Sequence, residues 1–279
     1  SDGSTCGKHK PKNFRWTWEG CPVEVFIDFG MSAVPAFDKQ MALRALGQGV
    51  PDYSCTRPPG QYRFGWLCES KAIVADMYKS LCANYERYLQ CFDAIFTCDE
   101  YLLSLDPRFR YSSSGSNIPW TPPFDWEIYP KSKNCSLLAS PKQYTVGHQL
   151  RHQWAQRLRD KIDVFGGVAG TERVGMDETH THPPKWKALK DYRFSITIEN
   201  LDYNNYFTEK LTDCFAHGTI PVYWGCPNIG KYFNTDGIIM LDDSFDVNNL
   251  TEELYLSKMD AIKDNFERIK HLKNSDDIL

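Results

Sequence analysis

The chain has 279 residues, a length that favours two domains at roughly 100 to 200 residues each. Its residues are 42% hydrophobic and 24% charged, which excludes a mostly disordered, collagen-like or coiled-coil protein and leaves material for a sizeable core. A formal net charge of -4 provides no strongly basic field for a nucleic-acid backbone, so no nucleic-acid partner is expected, although a local basic pocket for a small anion stays open.

The first predicted element is residues 23–29, a β-branched and aromatic run halted by Gly30, and the second is residues 62–68, ending at the polar pair Glu69-Ser70. Both read as buried strands. After Ser70 the apolar residues Ile73, Val74, Met77, Tyr78 and Leu81 keep helical spacing, residues 92–97 read as another strand, and a short helix follows near 100–105. Residues 112–133 turn to Ser, Gly, Pro and Trp, with Pro119, Pro122, Pro123 and Pro130, a composition that suits an inter-domain linker. The boundary falls there, giving domains 1–130 and 131–279. The aromatic residues around that stretch, Tyr111, Trp120, Phe124 and Trp126, are expected to pack rather than to bind a sugar face.

Beyond the linker, residues 136–139 form a short apolar run. Residues 146–159 make a polar helix with Leu150, Trp154 and Leu158 on one face, and 162–165 a strand stopped by Gly166-Gly167. Residues 170–184 have no period, and we expect them to form a loop. Strand 193–198, helix 208–217 and strand 219–224 close the alternation, and residues 251–273 read as one or two amphipathic helices, the last a candidate to pack back on the first domain. Two alternating units on either side of a Pro-rich linker predict an α/β protein with two Rossmann-like domains facing across a cleft, ligands lying at the carboxyl ends of the strands. By analogy this is the GT-B architecture.

The ten cysteines are scattered with no C-x-x-C pair, so a zinc ribbon and a thioredoxin site are disfavoured and most are expected to be reduced core residues. No run approaches the roughly 18 apolar residues of a membrane helix. A cytoplasmic or membrane-peripheral protein is the default expectation, with a trimmed N-terminal anchor left open. The sequons Asn134-Cys135-Ser136 and Asn249-Leu250-Thr251 carry no weight without a secretory signal. His180 and His182, near Asp177 and Glu178, offer metal ligands only in an aperiodic loop, so no metal site is expected.

The most informative stretch begins where strand 193–198 runs out at Glu199 and Asn200, which in an open α/β sheet is the ligand crevice. Thr208 opens the next helix as a candidate N-cap, placing Glu209 and Lys210 in its first turn. A glutamate suits the positive end of the helix dipole, whereas a lysine there is repelled unless an anion shares the terminus, so Lys210 points to a bound phosphate. The local pattern fits a solvated Glu–Lys pair equally well. Asn200 fits either a strand-end turn or a contact to sugar hydroxyls.

The residues Phe194-x-Ile196-x-x-Glu199-Asn200, then Tyr206-x-Thr208-Glu209-Lys210, then Gly218-Thr-Ile-Pro-Val-Tyr-Trp-Gly225 with Pro227 beyond, resemble the donor-binding signature of the α1,3-fucosyltransferase family. The resemblance is close over residues 190–233 and extends upstream to Ala139-Ser140 and the helix carrying Leu150-Arg151. It implies a GT10-like, inverting glycosyltransferase of GT-B fold that moves L-fucose from GDP-fucose to a hydroxyl of an acceptor glycan and requires no cofactor. Domain 1–130 would then bind the acceptor and domain 131–279 the donor. It also implies donor-binding roles for Arg151, Glu199, Asn200, Tyr206, Thr208, Glu209 and Lys210. Inverting transfer needs one carboxylate to take the acceptor's proton. Glu69, at the end of strand 62–68 as the family's proposed base is at the end of its own, is the candidate. Asp28 and Asp99 are rivals, and a helix-capping role for Glu69 is the bland alternative. A relative using another nucleotide sugar, a glycan-binding protein that has lost transfer, and, last, a hydrolase centred on His180 and His182 are the competing functions.

Overall fold

The computed structural model describes residues 23–28, 31, 59–114, 117–174 and 184–272. These residues form two compact units, the described residues up to 114 in one and those from 117 onward in the other.

The first unit is a parallel sheet in the order β1-β2-β3-β4, built from β1 (Val23–Ile27), β2 (Tyr62–Trp66), β3 (Ala94–Thr97) and β4 (Phe109–Tyr111). A parallel strand covered on both faces carries a continuous rather than an alternating apolar run, and all four residues of β3 are buried. The crossovers are α1 (Ala75–Ala83), α2 (Tyr85–Cys91) and α3 (Glu100–Leu105). Met77, Leu81, Tyr88, Leu89, Phe92, Ile95 and Leu102 interlock as their core. The helix expected directly after Ser70 starts four residues late, at Ala75, because residues 71–74 form turns on the Ser70 carbonyl. The expected strand 92–97 is shortened to β3, since Phe92 caps α2. Helix α2 and the three-residue β4 had no sequence signal: neither is long enough to complete a period.

The second unit is a parallel sheet in the order β6-β5-β7-β8-β9. Its strands are β5 (Lys133–Leu138), β6 (Asp163–Phe165), β7 (Tyr192–Ile198), β8 (Ile220–Trp224) and β9 (Ile239–Met240). Helices α4 (Val146–Leu158), α5 (Glu209–Ala216), α6 (Glu252–Ser257) and α7 (Met259–Lys270) accompany them. Trp154 and Leu158 of α4 pack on Leu137, Phe194, Ile196, Ile220 and Val222, while Leu211 and Phe215 of α5 meet Phe207, Phe233 and Ile269 of α7. Each such side chain contributes roughly 1.5 to 3 kcal/mol when fully buried. The tail is therefore two helices, and α7 packs within this unit.

Much of the Pro-rich stretch also belongs to the second unit. The Thr121 amide and hydroxyl both donate to Asp213 of α5, and the Glu127 amide donates to the Ala216 carbonyl. Trp126 joins the Phe207 cluster, whereas Phe124 is 86% exposed. Cys68, Cys82, Cys98, Cys135, Cys214 and Cys226 are free thiols, as the reading of most cysteines as reduced expects. Cys91 is disulfide-bonded. Among the described residues no helix is long and apolar enough to cross a membrane.

Candidate active site

Seven side chains of the second unit converge where β7 ends. Glu199 is fully buried one residue beyond the strand, and its carboxylate accepts from the Thr208 amide at 2.8 Å and the Thr208 hydroxyl at 2.7 Å. Thr208 is the N-cap of α5, its hydroxyl also accepting from the Lys210 amide at 3.4 Å. One carboxylate thus ties the strand end to the start of the helix. The close approach explains two glycines. A Cβ on Gly225 would sit 2.6 Å from the Glu199 Cγ, and one on Gly147 would land on the Glu199 carbonyl oxygen. Gly147 instead brings the first turn of α4 against the 199–200 turn, where its amide donates to the Asn200 carbonyl at 3.2 Å.

Arg151, on α4, is buried. Its Nε donates to the Ile198 carbonyl at 2.9 Å and an NH2 nitrogen to the Asn200 side-chain oxygen at 2.8 Å. It is not a surface charge; it fixes the turn after Glu199, and Asn200 serves that same turn. Tyr206 is 1% exposed and lies under Tyr203, the rings 4.7 Å apart and nearly parallel. Glu209 is buried between two lysines, 3.2 Å from the Lys210 ammonium and 3.7 Å from that of Lys185. The Lys210 ammonium also donates to the Thr208 hydroxyl at 3.0 Å and lies 3.7 Å from Glu199.

The expectation that Lys210 requires a bound anion is modified by this geometry. The helix start already holds two protein carboxylates, and they offset the repulsion between the lysine and the dipole. Lys210 is nevertheless the charged group of the cluster that reaches solvent, its side chain 26% exposed against 5% or less for Glu199 and Glu209. Burial raises the Glu199 carboxyl above its usual range, against the pull of Lys210. For Glu209 burial also acts upward, but Lys210 and Lys185 outweigh it and hold the carboxyl below its usual range. His148, one turn into α4, shares its Nδ1 with the Thr145 cap hydroxyl at 2.7 Å. Burial, then Arg151, Lys142, Lys210 and His152, push it down to about 4, so it is neutral at physiological pH.

Two participants escaped sequence reasoning. Lys185 lies just beyond the aperiodic stretch, on a single turn after Pro184, and its ammonium bonds Asp213 at 2.5 Å. Asp213 was detectable: it is an acid on a helix whose neighbours Leu211, Cys214 and Phe215 are all buried. His180 and His182 lie outside the described residues, among which no group of three or more His, Cys, Asp or Glu side chains is arranged to hold a metal.

In the first unit, Glu69 follows β2 as an exposed residue, and its amide donates to the Asp28 carboxylate at 3.2 Å. It does not cap α1, whose N-cap position is Val74. Asp99 is occupied, capping α3 through the Tyr101 and Leu102 amides and pairing with Lys71 at 3.0 Å. Asp28 also accepts from the Cys68 amide at 2.9 Å, and burial pushes its carboxyl up to about 7. Among the three acids considered, Glu69 is the one whose carboxylate has no protein partner among the described residues.

Residues 129–274 match the family model described as glycosyltransferase family 10 (fucosyltransferase), C-term. That is more than half of the chain, and it contains the whole Glu199–Lys210 cluster. The chain belongs to glycosyltransferase family 10. It is similar to the alpha-(1,3)-fucosyltransferase FucT of Helicobacter pylori, 38% identical over 94 residues that span 34% of this chain and 19% of that one. It is also similar to GDP-fucose protein O-fucosyltransferase 3 of Danio rerio, 32% identical over 89 residues, 32% of this chain and 19% of that one. The matched stretches thus span about a fifth of these relatives' length. A crystal structure of alpha1,3-fucosyltransferase with GDP-fucose aligns over 98% of this chain and 87% of that one at 15% identity and a TM-score of 0.43.

Proposed function

We propose that the protein is an inverting glycosyltransferase that moves L-fucose from GDP-fucose to a hydroxyl of an acceptor glycan. The observation that carries this reading is the cluster at the end of β7, inside the family-matched segment, with Lys210 as its solvent-reaching cation beside an N-capped helix start. Negative charge builds on the diphosphate as the glycosidic bond breaks, and a fixed ammonium with helix-start amides stabilises it without reorganisation. Lys210 meets the phosphates, with Arg151 fixing the turn that frames them. Glu209 and Tyr206 recognise hydroxyls of guanosine or fucose, and Glu199 with Thr208 holds the helix in place. On the acceptor side Glu69 takes the proton of the attacking hydroxyl while the sugar passes through an oxocarbenium-like state. No metal is assigned a part.

The test is calorimetric titration with GDP, GDP-fucose, GDP-mannose and UDP-glucose, with EDTA, on the wild type and on Lys210→Ala. The expected result is guanine-selective binding that the substitution abolishes. No nucleotide binding, with or without divalent metal, sinks the transferase reading and leaves a glycan-binding protein to be tested on an array. The Cys91 disulfide supports an oxidising compartment rather than the cytoplasm expected by default. Alkylation of the native protein before and after reduction, read by mass spectrometry, should find Cys91 blocked until reductant is added.

A further inference from the structure

We infer that Lys185 is the buried counter-ion of the donor-phosphate site, a positioning residue that neutralises Glu209 and Asp213 so that the charge of Lys210 is left for the ligand. The inference rests on the donor reading above.

Glu209 and Asp213 stand four residues apart on α5, and both are buried. Residues at that spacing share a helix face, so two carboxylates there repel each other, and removed from water each needs a partner. Lys185 serves both. It is 8% exposed, its ammonium bonds Asp213 at 2.5 Å, and it lies 3.7 Å from Glu209. The Trp120 ring lies 5.3 Å from the ammonium and closes it from water. The second Asp213 oxygen is taken by the Thr121 amide and hydroxyl, so Asp213 has no need of Lys210. Burial acts to lower the Lys185 ammonium, yet Asp213 and Glu209 hold it above its usual range, and it stays charged at any working pH.

Without Lys185, Arg151 and Lys210 are the cations left among the described residues of the cluster to balance Glu199, Glu209 and Asp213. Lys210 already lies within 3.2 Å of Glu209 and 3.7 Å of Glu199, and it would be committed to both. A diphosphate would then meet a site with net negative charge. A nucleoside lacking phosphates would not sense the difference.

The test compares GDP with guanosine, by competition against GDP-fucose, on the wild type, Lys185→Met, Lys185→Arg and the double variant Lys185→Met with Asp213→Asn. The single Met variant should lose GDP affinity about tenfold or more while guanosine changes less than about threefold. The double variant restores the charge balance and should recover GDP binding to within about threefold, because replacing both partners of a buried pair is far milder than removing one. Lys185→Arg keeps the charge and should stay on the wild-type side. Unchanged GDP affinity in Lys185→Met, equal loss of GDP and guanosine, or a double variant no better than the single would each overturn the inference. If Lys185→Met does not fold, the double variant decides alone: tenfold weaker GDP binding in a folded double variant refutes the counter-ion role. A wild type that binds no GDP refutes the donor reading itself, a distinguishable failure.

Discussion

Both units end their parallel strands in carboxylates, and they treat them in opposite ways. In the second unit Glu199, Glu209 and Asp213 are buried and interleaved with Arg151, Lys185 and Lys210, so the charges are placed by the fold before any ligand arrives. In the first, Glu69 stands exposed after β2, held among the described residues through its amide on the Asp28 carboxylate. A charge network fixes which residue types must sit where, and so leaves a motif. A backbone hydrogen bond fixes position while leaving the surrounding sequence free.

The sharpest way to break this contrast is Glu69→Gln. Transfer should fall by about two to four orders of magnitude, as for loss of a general base, with GDP affinity in calorimetry unchanged; weakened GDP binding would place Glu69 on the donor side instead. Next is a pair of glycines. Gly147→Ala drives a methyl onto the Glu199 carbonyl, a backbone atom that has nowhere to go, and should cost about 3 kcal/mol in urea unfolding. Gly65→Ala meets the flexible thioether end of Met31 at 2.5 Å and should cost no more than about 1 kcal/mol. Equal costs would mean that the second unit's strand end is no more rigid than the first unit's core.

Asp28→Asn refines the comparison further. It weakens the acceptor for the Cys68 and Glu69 amides, and should lower transfer about tenfold while sparing GDP affinity. The smallest effect is on pH dependence, and its sign differs between the units. The Asp28 carboxyl, raised from 3.8 to about 7, holds a proton in the fold that the unfolded chain gives up. Its contribution is complete below about pH 4 and lost as pH rises through 7. His148 and His217, the buried residue that closes α5, go the other way: lowered from 6.5 to about 4 and about 3, they stay neutral in the fold, so their contribution is present above about pH 6.5 and fades on acidification. Moving from pH 7 to pH 5 should therefore strengthen the first unit's unfolding transition and weaken the second's, with Asp28→Asn removing the first trend.

What the sequence disclosed follows the same division. The strand before Glu199, the Thr208 cap and the first-turn pair Glu209-Lys210 were legible because a long buried strand and a capped helix leave periodic and positional marks. The burial of Arg151 against Ile198 and Asn200 was not, since a polar helix gives no sign of which basic residue turns inward. Lys185 hid on a four-residue turn too short to leave a period, and it is distant in sequence from Asp213, whose counter-ion it is. The two-residue strand β9 and the three-residue β4 are too short for any pattern. The cysteine spacing pointed away from a metal and from a redox motif, but it held nothing to single out Cys91.

The strand order of the second sheet also governs when the site comes into being. β5 pairs on one side with β6 and on the other with β7, which follows far along the chain, and Gly147 of α4 meets the Glu199 turn only once that second pairing is made. Such non-local parallel pairing is slow, since the chain closes a long loop before the contacts repay it. Nucleotide affinity should therefore emerge late in refolding, together with the last native sheet signal. Bound GDP would then act as a thermodynamic latch, favouring the completed unit over every partly assembled form.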